Sequence, residues 1–315
     1  MPKAYMVDVS VIIPTYNRAH FIGDAIRSVQ EQVYASGRRP QIEIIVADDG
    51  STDNTAQVVA TFGDQVIYLP CPHRGLPAAT RNAALTQARG EFIAFLDSDD
   101  LFLPPKLDRQ LAAFARHPEA GVVYSDGNFF RTTPAQVEGH VLDGQPTPSG
   151  YVFGELTAGN FLFLQTTLIR RRALQVVGLF DENSDFFAVE DYDLLLRLAA
   201  QFQFVYEPGS VAAIRRHAGS ISREAMAHKR RILQVLAKIE DSFPELADGH
   251  ADAFHEAGVR LNGALAWGEL RNRNLTTGLH HTFICVNHMT HVPGRTMRWG
   301  TTWLRNRQKR HSAQA

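Results

Sequence analysis

Over the first hundred residues, apolar runs alternate with stretches of helical periodicity, and short turns separate them. Residues 9–13 (VSVII), 42–47 (IEIIVA), 65–70 (QVIYLP) and 91–97 (EFIAFLD) are apolar and β-branched or aromatic, which predicts buried strands. Between them, residues 19–32 and 76–88 space their apolar positions as helices do. Residues 51–62 (STDNTAQVVATF) predict a further helix, with Ser51 or Thr52 placed to cap it. Strands without polar alternation, each followed by a helix, belong to a mostly parallel sheet covered on both faces. Ligands of such sheets bind at the carboxyl ends of the strands.

From 104 to 222 the pattern is less regular. It predicts a helix over 104–116, a strand over 121–125 and a Gly/Pro-rich loop over 137–154. The apolar run 161–170 follows, then a helix over 190–201 and a strand near 203–206. Beyond Ser222 only helical periodicity remains.

Composition narrows the class. The 315 residues are 44% hydrophobic and 21% charged, an ordinary globular mixture that excludes disorder and low-complexity structure. Cys71 and Cys285 are too few for a disulfide framework, which fits a reducing compartment. No apolar run reaches the roughly 18 residues of a membrane span, and the short apolar N-terminal stretch is broken by Asp8 and Pro14. A cytoplasmic location is expected, with peripheral association at the inner face of the membrane as its variant. The net charge of -1 argues against nucleic acid as a partner. It is a cancellation: residues 1–269 hold 24 basic and 33 acidic side chains, and residues 270–315 hold 8 basic and none acidic.

The acidic residues collect where strands end. Asp48 and Asp49 follow the second strand, with Gly50 for a sharp turn, and Asp97, Asp99 and Asp100 follow the fourth. Three carboxylates within four residues repel one another unless a cation is present. Oxygen-preferring Mg2+ or Mn2+, shared with substrate phosphates, is the natural candidate; a solvated acidic turn capping the next helix is the plain alternative.

IIPTYNR, DDGS, RNAAL, FLDSDD, GLFDE, VEDYDLLLRL and RRHAGSIS occur in this order. The series, covering residues 7–222, closely resembles the family-2 glycosyltransferases, which have the GT-A fold and use nucleotide-sugar donors. The resemblance implies an α/β GT-A domain whose nucleotide-sugar-binding half is 1–103 and whose acceptor-binding and catalytic half is 104–222. A helical extension with a basic tail, 223–315, completes the chain.

The same resemblance implies donor-binding roles for Pro14, Thr15, Tyr16, Arg18, Asp48, Asp49, Arg81, Asp97 and Ser98. It implies metal ligation by Asp99 and His217, with Mn2+ or Mg2+ as the cofactor and Arg215 or Arg216 as alternative phosphate contacts. Ser220 and Ser222 are expected on a segment closing over the donor. Asp191 matches the catalytic base: a hydroxyl attacking a sugar C1 must lose its proton, and a positioned carboxylate takes it. Glu190, Gln165 and Thr167 are the acceptor-site candidates, and Phe129, Phe130, Tyr151, Phe153, Phe161 and Phe163 are either acceptor-facing aromatics or core.

The expected partners are a UDP-sugar and a saccharide or lipid-linked acceptor, in inverting transfer serving cell-surface polysaccharide or glycolipid synthesis. A homodimer and contact of the basic tail with an anionic membrane are further expectations. Two other readings stay open at this point: a nucleotidyltransferase with a similar acidic site, and a catalytically silent sugar-nucleotide-binding scaffold.

Overall fold

The computed structural model describes residues 7–35, 37, 39–216 and 225–291. His217, Ser220, Ser222 and the tail beyond residue 291 lie outside the described residues. The chain divides into two compact units: Met1–Phe153 with Asn160–Arg223, and Gly154–Gly159 with Glu224–Ala315.

In the first unit β1 (Val9–Thr15), β2 (Ile42–Asp48), β3 (Ile67–Pro70) and β4 (Phe92–Phe95) pair in parallel in the order β3-β2-β1-β4. Helices α1 (Ile22–Gln30), α2 (Thr55–Ala60) and α3 (Pro77–Gln87) connect them. Val9, Val11, Ile13, Val46 and Ala94 of these strands pack in one core with Ile22, Ile26 and Val29 of α1. This is the parallel half that the apolar runs predict. Helix α2 starts later than expected: its first residue is Thr55, whose hydroxyl and amide both donate to Asp53. Ser51 and Thr52 cap nothing; they bond Asn17 of the turn after β1.

β5 (Leu101–Phe102), α4 (Lys106–Arg116), β6 (Val122–Phe130) and β7 (Gly139–His140) come next, followed by α5 (Phe153–Ala158), β8 (Thr167–Arg170), α6 (Arg171–Val177), α7 (Glu190–Ala199) and β9 (Phe204–Arg215). The sheet continues β4-β8-β6-β9-β5, with β7 on β6. β8 runs antiparallel to both β4 and β6, whereas β6 and β9 pair in parallel. Strands β6 and β9 are longer than the periodicity predicts: β6 is partly exposed in its second half, and β9 is interrupted by a partly exposed stretch over 206–210 before its buried end. The expected architecture, α/β with a mostly parallel sheet and a C-terminal helical extension, is the one the chain adopts.

The second unit contains all of α5 but its first residue, with α8 (Ala225–Ser242), α9 (Pro244–Gly249), α10 (Ala251–Arg271) and α11 (Leu275–His291). Helices α10 and α11 approach closely at glycines: a Cβ on Gly258 would lie 2.5 Å from the His288 ring, and one on Gly278 would lie 2.7 Å from Leu270.

Candidate active site

The carboxyl ends of β1, β2 and β4 bring two acidic turns into one region. At the end of β2, Asp48 is enclosed; its carboxylate accepts the Ser51 amide at 2.8 Å and the Tyr68 hydroxyl at 2.7 Å. Burial and the adjoining Asp48 raise the Tyr68 hydroxyl pKa, so the phenol stays a donor. Asp49 bonds the Thr15 carbonyl through its amide, and its carboxylate accepts the amides of Arg74 at 2.9 Å and Gly75 at 2.8 Å. His73 Nδ1 is 3.0 Å from the same carboxylate, and its ring stacks on Tyr16 with centroids 4.3 Å apart. Gly50 between these contacts has φ +78, and a Cβ there would press on the His73 Cβ at 3.1 Å. The turn therefore pins the loop after β3 and presents a half-exposed Tyr16–His73 pair.

The turn after β4 is built differently. Asp97 accepts from Arg81 Nη2 at 2.9 Å and from Gln165 Nε2 at 2.6 Å; the same Gln165 amide donates to Asp100 at 2.8 Å. Asp100 also accepts the Arg215 amide at 2.7 Å, and Arg215 Nε donates to the Asp99 carbonyl at 3.0 Å. The Asp99 carboxylate faces Arg18 Nε at 3.9 Å. Burial raises the Asp97 pKa, with Arg81 opposing and Asp99 adding to the rise. Asp100 is pushed well above the ordinary carboxylate range by burial, Asp97 and Asp99.

Such crowding of like charge is the electrostatic signature of a place that favours a cation. Among the described residues no three His, Cys, Asp or Glu side chains converge as a ligand set. The oxygens of Asp97 and Asp100 accept protein N–H groups, and Asp99 stands beside them with Arg18 facing its carboxylate. One carboxylate plus phosphate oxygens and water fits a hard divalent cation.

Arg81 links this turn to α7. Its Nη1 donates to Glu190 at 2.6 Å and its Nη2 to Asp97 at 2.9 Å, both from a buried position on α3 with the guanidinium 5.6 Å from the Phe180 ring centre. Glu190 Oε2 is buried without a hydrogen-bond partner. Asp191 sits in the first turn of α7 and accepts the Tyr192 amide at 2.8 Å. Burial and the neighbouring Glu190 push its pKa up to about 7, against the pull of Arg81. Ala188, two residues before Glu190, holds φ +64, a strained value for alanine. Asp193 is turned away, fully buried on Arg197 of the same helix at 2.8 Å.

Tyr16, Arg18, Asp49, Arg81, Asp97, Asp99, Gln165, Glu190 and Asp191 are thus gathered around the two turns. Two expected site residues keep their polar groups on protein partners. Asp48 is spent on the frame, and Thr167 is fully buried with its hydroxyl on the Leu164 carbonyl. Thr15 is buried with its hydroxyl unpartnered, Ser98 is buried within its turn, and Pro14 lies in β1 opposite Ala47. Gln165 is placed among the acidic residues of the turn after β4. Of the aromatics, Phe130, Phe153 and Phe161 are core, while Tyr151 and Phe163 are exposed and Phe163 meets Phe129 edge-on at 5.7 Å.

His73, Asn82 and Glu182 escaped the sequence reading. Asn82 of α3 exchanges hydrogen bonds with the Phe180 backbone and donates to Glu182, which pairs with Arg74. This clip holds the segment leading to Asp191; its sequence traces are the Asn of RNAAL and the Phe and Glu of GLFDE.

A model of the family described as Glycosyl transferase family 2 matches residues 10–172. The Escherichia coli protein named UDP-Glc:alpha-D-GlcNAc-diphosphoundecaprenol beta-1,3-glucosyltransferase WfgD is 40% identical over 122 residues, 38% of this chain and 45% of that one. A Rickettsia prowazekii glycosyltransferase is 28% identical over 224 residues, 69% of this chain and 67% of its own. Among solved structures, S. aureus TarS 1-349 in complex with UDP-GlcNAc superposes with a TM-score of 0.59 at 20% identity, over 93% of this chain and 92% of that one. The mannosyltransferase PcManGT from Pyrobaculum calidifontis, in complex with GDP-Man and Mn2+, also gives 0.59 at 20% identity, covering 95% of this chain and 87% of its own. These two likenesses establish a shared fold. The family match runs from β1 into α6 and takes in both acidic turns, and on that ground the chain belongs to glycosyl transferase family 2.

Proposed function

We propose that the chain is an inverting hexosyltransferase that moves a sugar from a nucleoside diphosphate, UDP in the first instance, onto a hydroxyl of a saccharide or lipid-linked acceptor in cell-surface polysaccharide or glycolipid synthesis. The observation that carries it is the Arg81 bridge, which ties Glu190 of α7 to Asp97 of the β4 turn and stands beside a carboxylate with a pKa of about 7. A base poised near neutral pH next to a cation-lined acidic turn is what sugar transfer from a diphosphate requires. UDP as donor nucleotide is supported by the name of WfgD and by the UDP-GlcNAc complex of TarS; use of a metal is supported by the Mn2+ complex of PcManGT.

Tyr16 and His73 offer a stacking face to the base, and Asp49 a carboxylate to the nucleoside. Arg18 and Arg81 face the diphosphate. Asp99, together with His217, would hold Mn2+ or Mg2+, which supplies charge neutralisation for the departing diphosphate. Asp191 takes the proton of the acceptor hydroxyl as its oxygen bonds to the sugar C1. The C1–O bond to the diphosphate breaks on the opposite face, so the anomeric configuration inverts. Glu190, held by Arg81, leaves one buried oxygen to orient the acceptor, and the exposed Phe163 edge-on to half-buried Phe129 suits an apolar or saccharide face.

The experiment is turnover of UDP-, GDP- and dTDP-sugars by the wild type and by Asp191→Asn, with UDP binding measured on both. The expected result is a preference for one UDP-sugar and a loss of roughly a thousandfold in turnover for Asp191→Asn, at unchanged UDP affinity. Unchanged turnover in the variant would remove Asp191 as the base.

A further inference from the structure

Helix α11 turns one side onto α10 and leaves another uncovered. On the inner side Gly278 lies against Leu270, His281 bonds Asn262 at 2.9 Å, and Cys285 is buried. On the outer side Leu275, Leu279, Phe283, Val286 and Met289 are between 41% and 74% exposed. Their spacing of four, four, three and three residues keeps them on one stripe along the helix. Single exposed apolar side chains are ordinary, but a continuous stripe of large ones marks an interaction surface.

The charge around the stripe identifies what covers it. Helix α11 contains no Asp, Glu, Lys or Arg. Exposed Arg271 and Arg273 precede it, and Arg295, Arg298, Arg305, Arg307, Lys309 and Arg310 follow it in the chain, with no acidic residue from 270 to 315. An apolar face set between cationic flanks matches the acyl-and-headgroup boundary of a bilayer carrying anionic lipid. A second copy of the chain would set eight basic residues against eight more, which disfavours self-pairing at this face. Among the described residues no helix is long and apolar enough to cross a membrane, so the mode is in-plane.

We infer that α11 is an interfacial membrane helix: the Leu275–Leu279–Phe283–Val286–Met289 stripe enters the acyl boundary of an anionic bilayer while the flanking basic residues meet its headgroups. The inference is independent of the identity of the donor and the acceptor.

The test is flotation of the full chain with phosphatidylcholine vesicles, with and without phosphatidylglycerol, for the wild type, Phe283→Glu and Asn287→Glu. Asn287→Glu adds the same charge on the exposed polar flank, so it separates apolar insertion from net charge. The wild type is expected to float with the phosphatidylglycerol vesicles and to release as salt rises. Phe283→Glu should reduce the floated fraction roughly tenfold and Asn287→Glu by no more than about twofold. Circular dichroism checks that both variants fold, and Phe283→Ser reads the same contact if the glutamate does not fold. Three outcomes overturn the inference: no flotation of the wild type, equal loss in the Phe283 and Asn287 variants, or a solution dimer by light scattering that Phe283→Glu dissolves.

Discussion

Two turns, each following a parallel strand and each rich in aspartate, do opposite work in this molecule. After β2, protein donors meet the carboxylates of Asp48 and Asp49: the amides of Ser51, Arg74 and Gly75, and the Tyr68 hydroxyl. After β4, Asp97 and Asp100 share one glutamine amide and take one arginine and one backbone amide between them, Asp99 faces Arg18, and both Asp97 and Asp100 hold their protons more tightly than usual. The first turn is a finished frame that fixes the loop carrying His73. The second crowds three carboxylates together, and on the proposed function it is where a cation would be held. A short run of aspartates therefore announces nothing until its donors are counted.

The largest expected effect on this contrast is in pH dependence. Asp191, with a pKa of about 7, must be ionised to accept a proton, so kcat/KM should fall about tenfold per pH unit below 7 and level off above it. A rate–pH profile of the wild type measures this. A profile flat down to pH 5 would detach the base from the charge cluster around Arg81.

A smaller effect separates the turns by stability. Asp49→Ala removes the carboxylate that accepts the part-buried hydrogen bonds of the Arg74 and Gly75 amides and should cost about 1–3 kcal/mol in denaturant unfolding. If Asp49→Ala unfolds at the wild-type midpoint, the β2 turn is not the frame described here.

The parallel half of the fold was legible because β1, β2 and β4 are buried on both faces and so read as unbroken apolar runs. The antiparallel insertion of β8 was not, since Thr167 and the residues after it form an apolar run that fits either direction. Asp49 and Asp97 could be placed at strand ends from spacing alone. Which neighbour faces inward could not: Asp48 is consumed by Tyr68, twenty residues away, and Gln165 is drawn to Asp97 by a 3-10 turn over Leu164–Thr166 that also buries Thr167. His73 and Glu182 acquire meaning only through partners distant in sequence, Tyr16 and Asn82.

The most direct measurement is calorimetric titration of UDP into the wild type and Asp99→Asn, first with chelator and then with Mn2+. If the β4 turn is completed by a cation, Mn2+ should raise the affinity of the wild type for UDP by at least roughly tenfold and leave that of Asp99→Asn nearly unchanged. An equal gain in both proteins, or none in the wild type, would contradict the account.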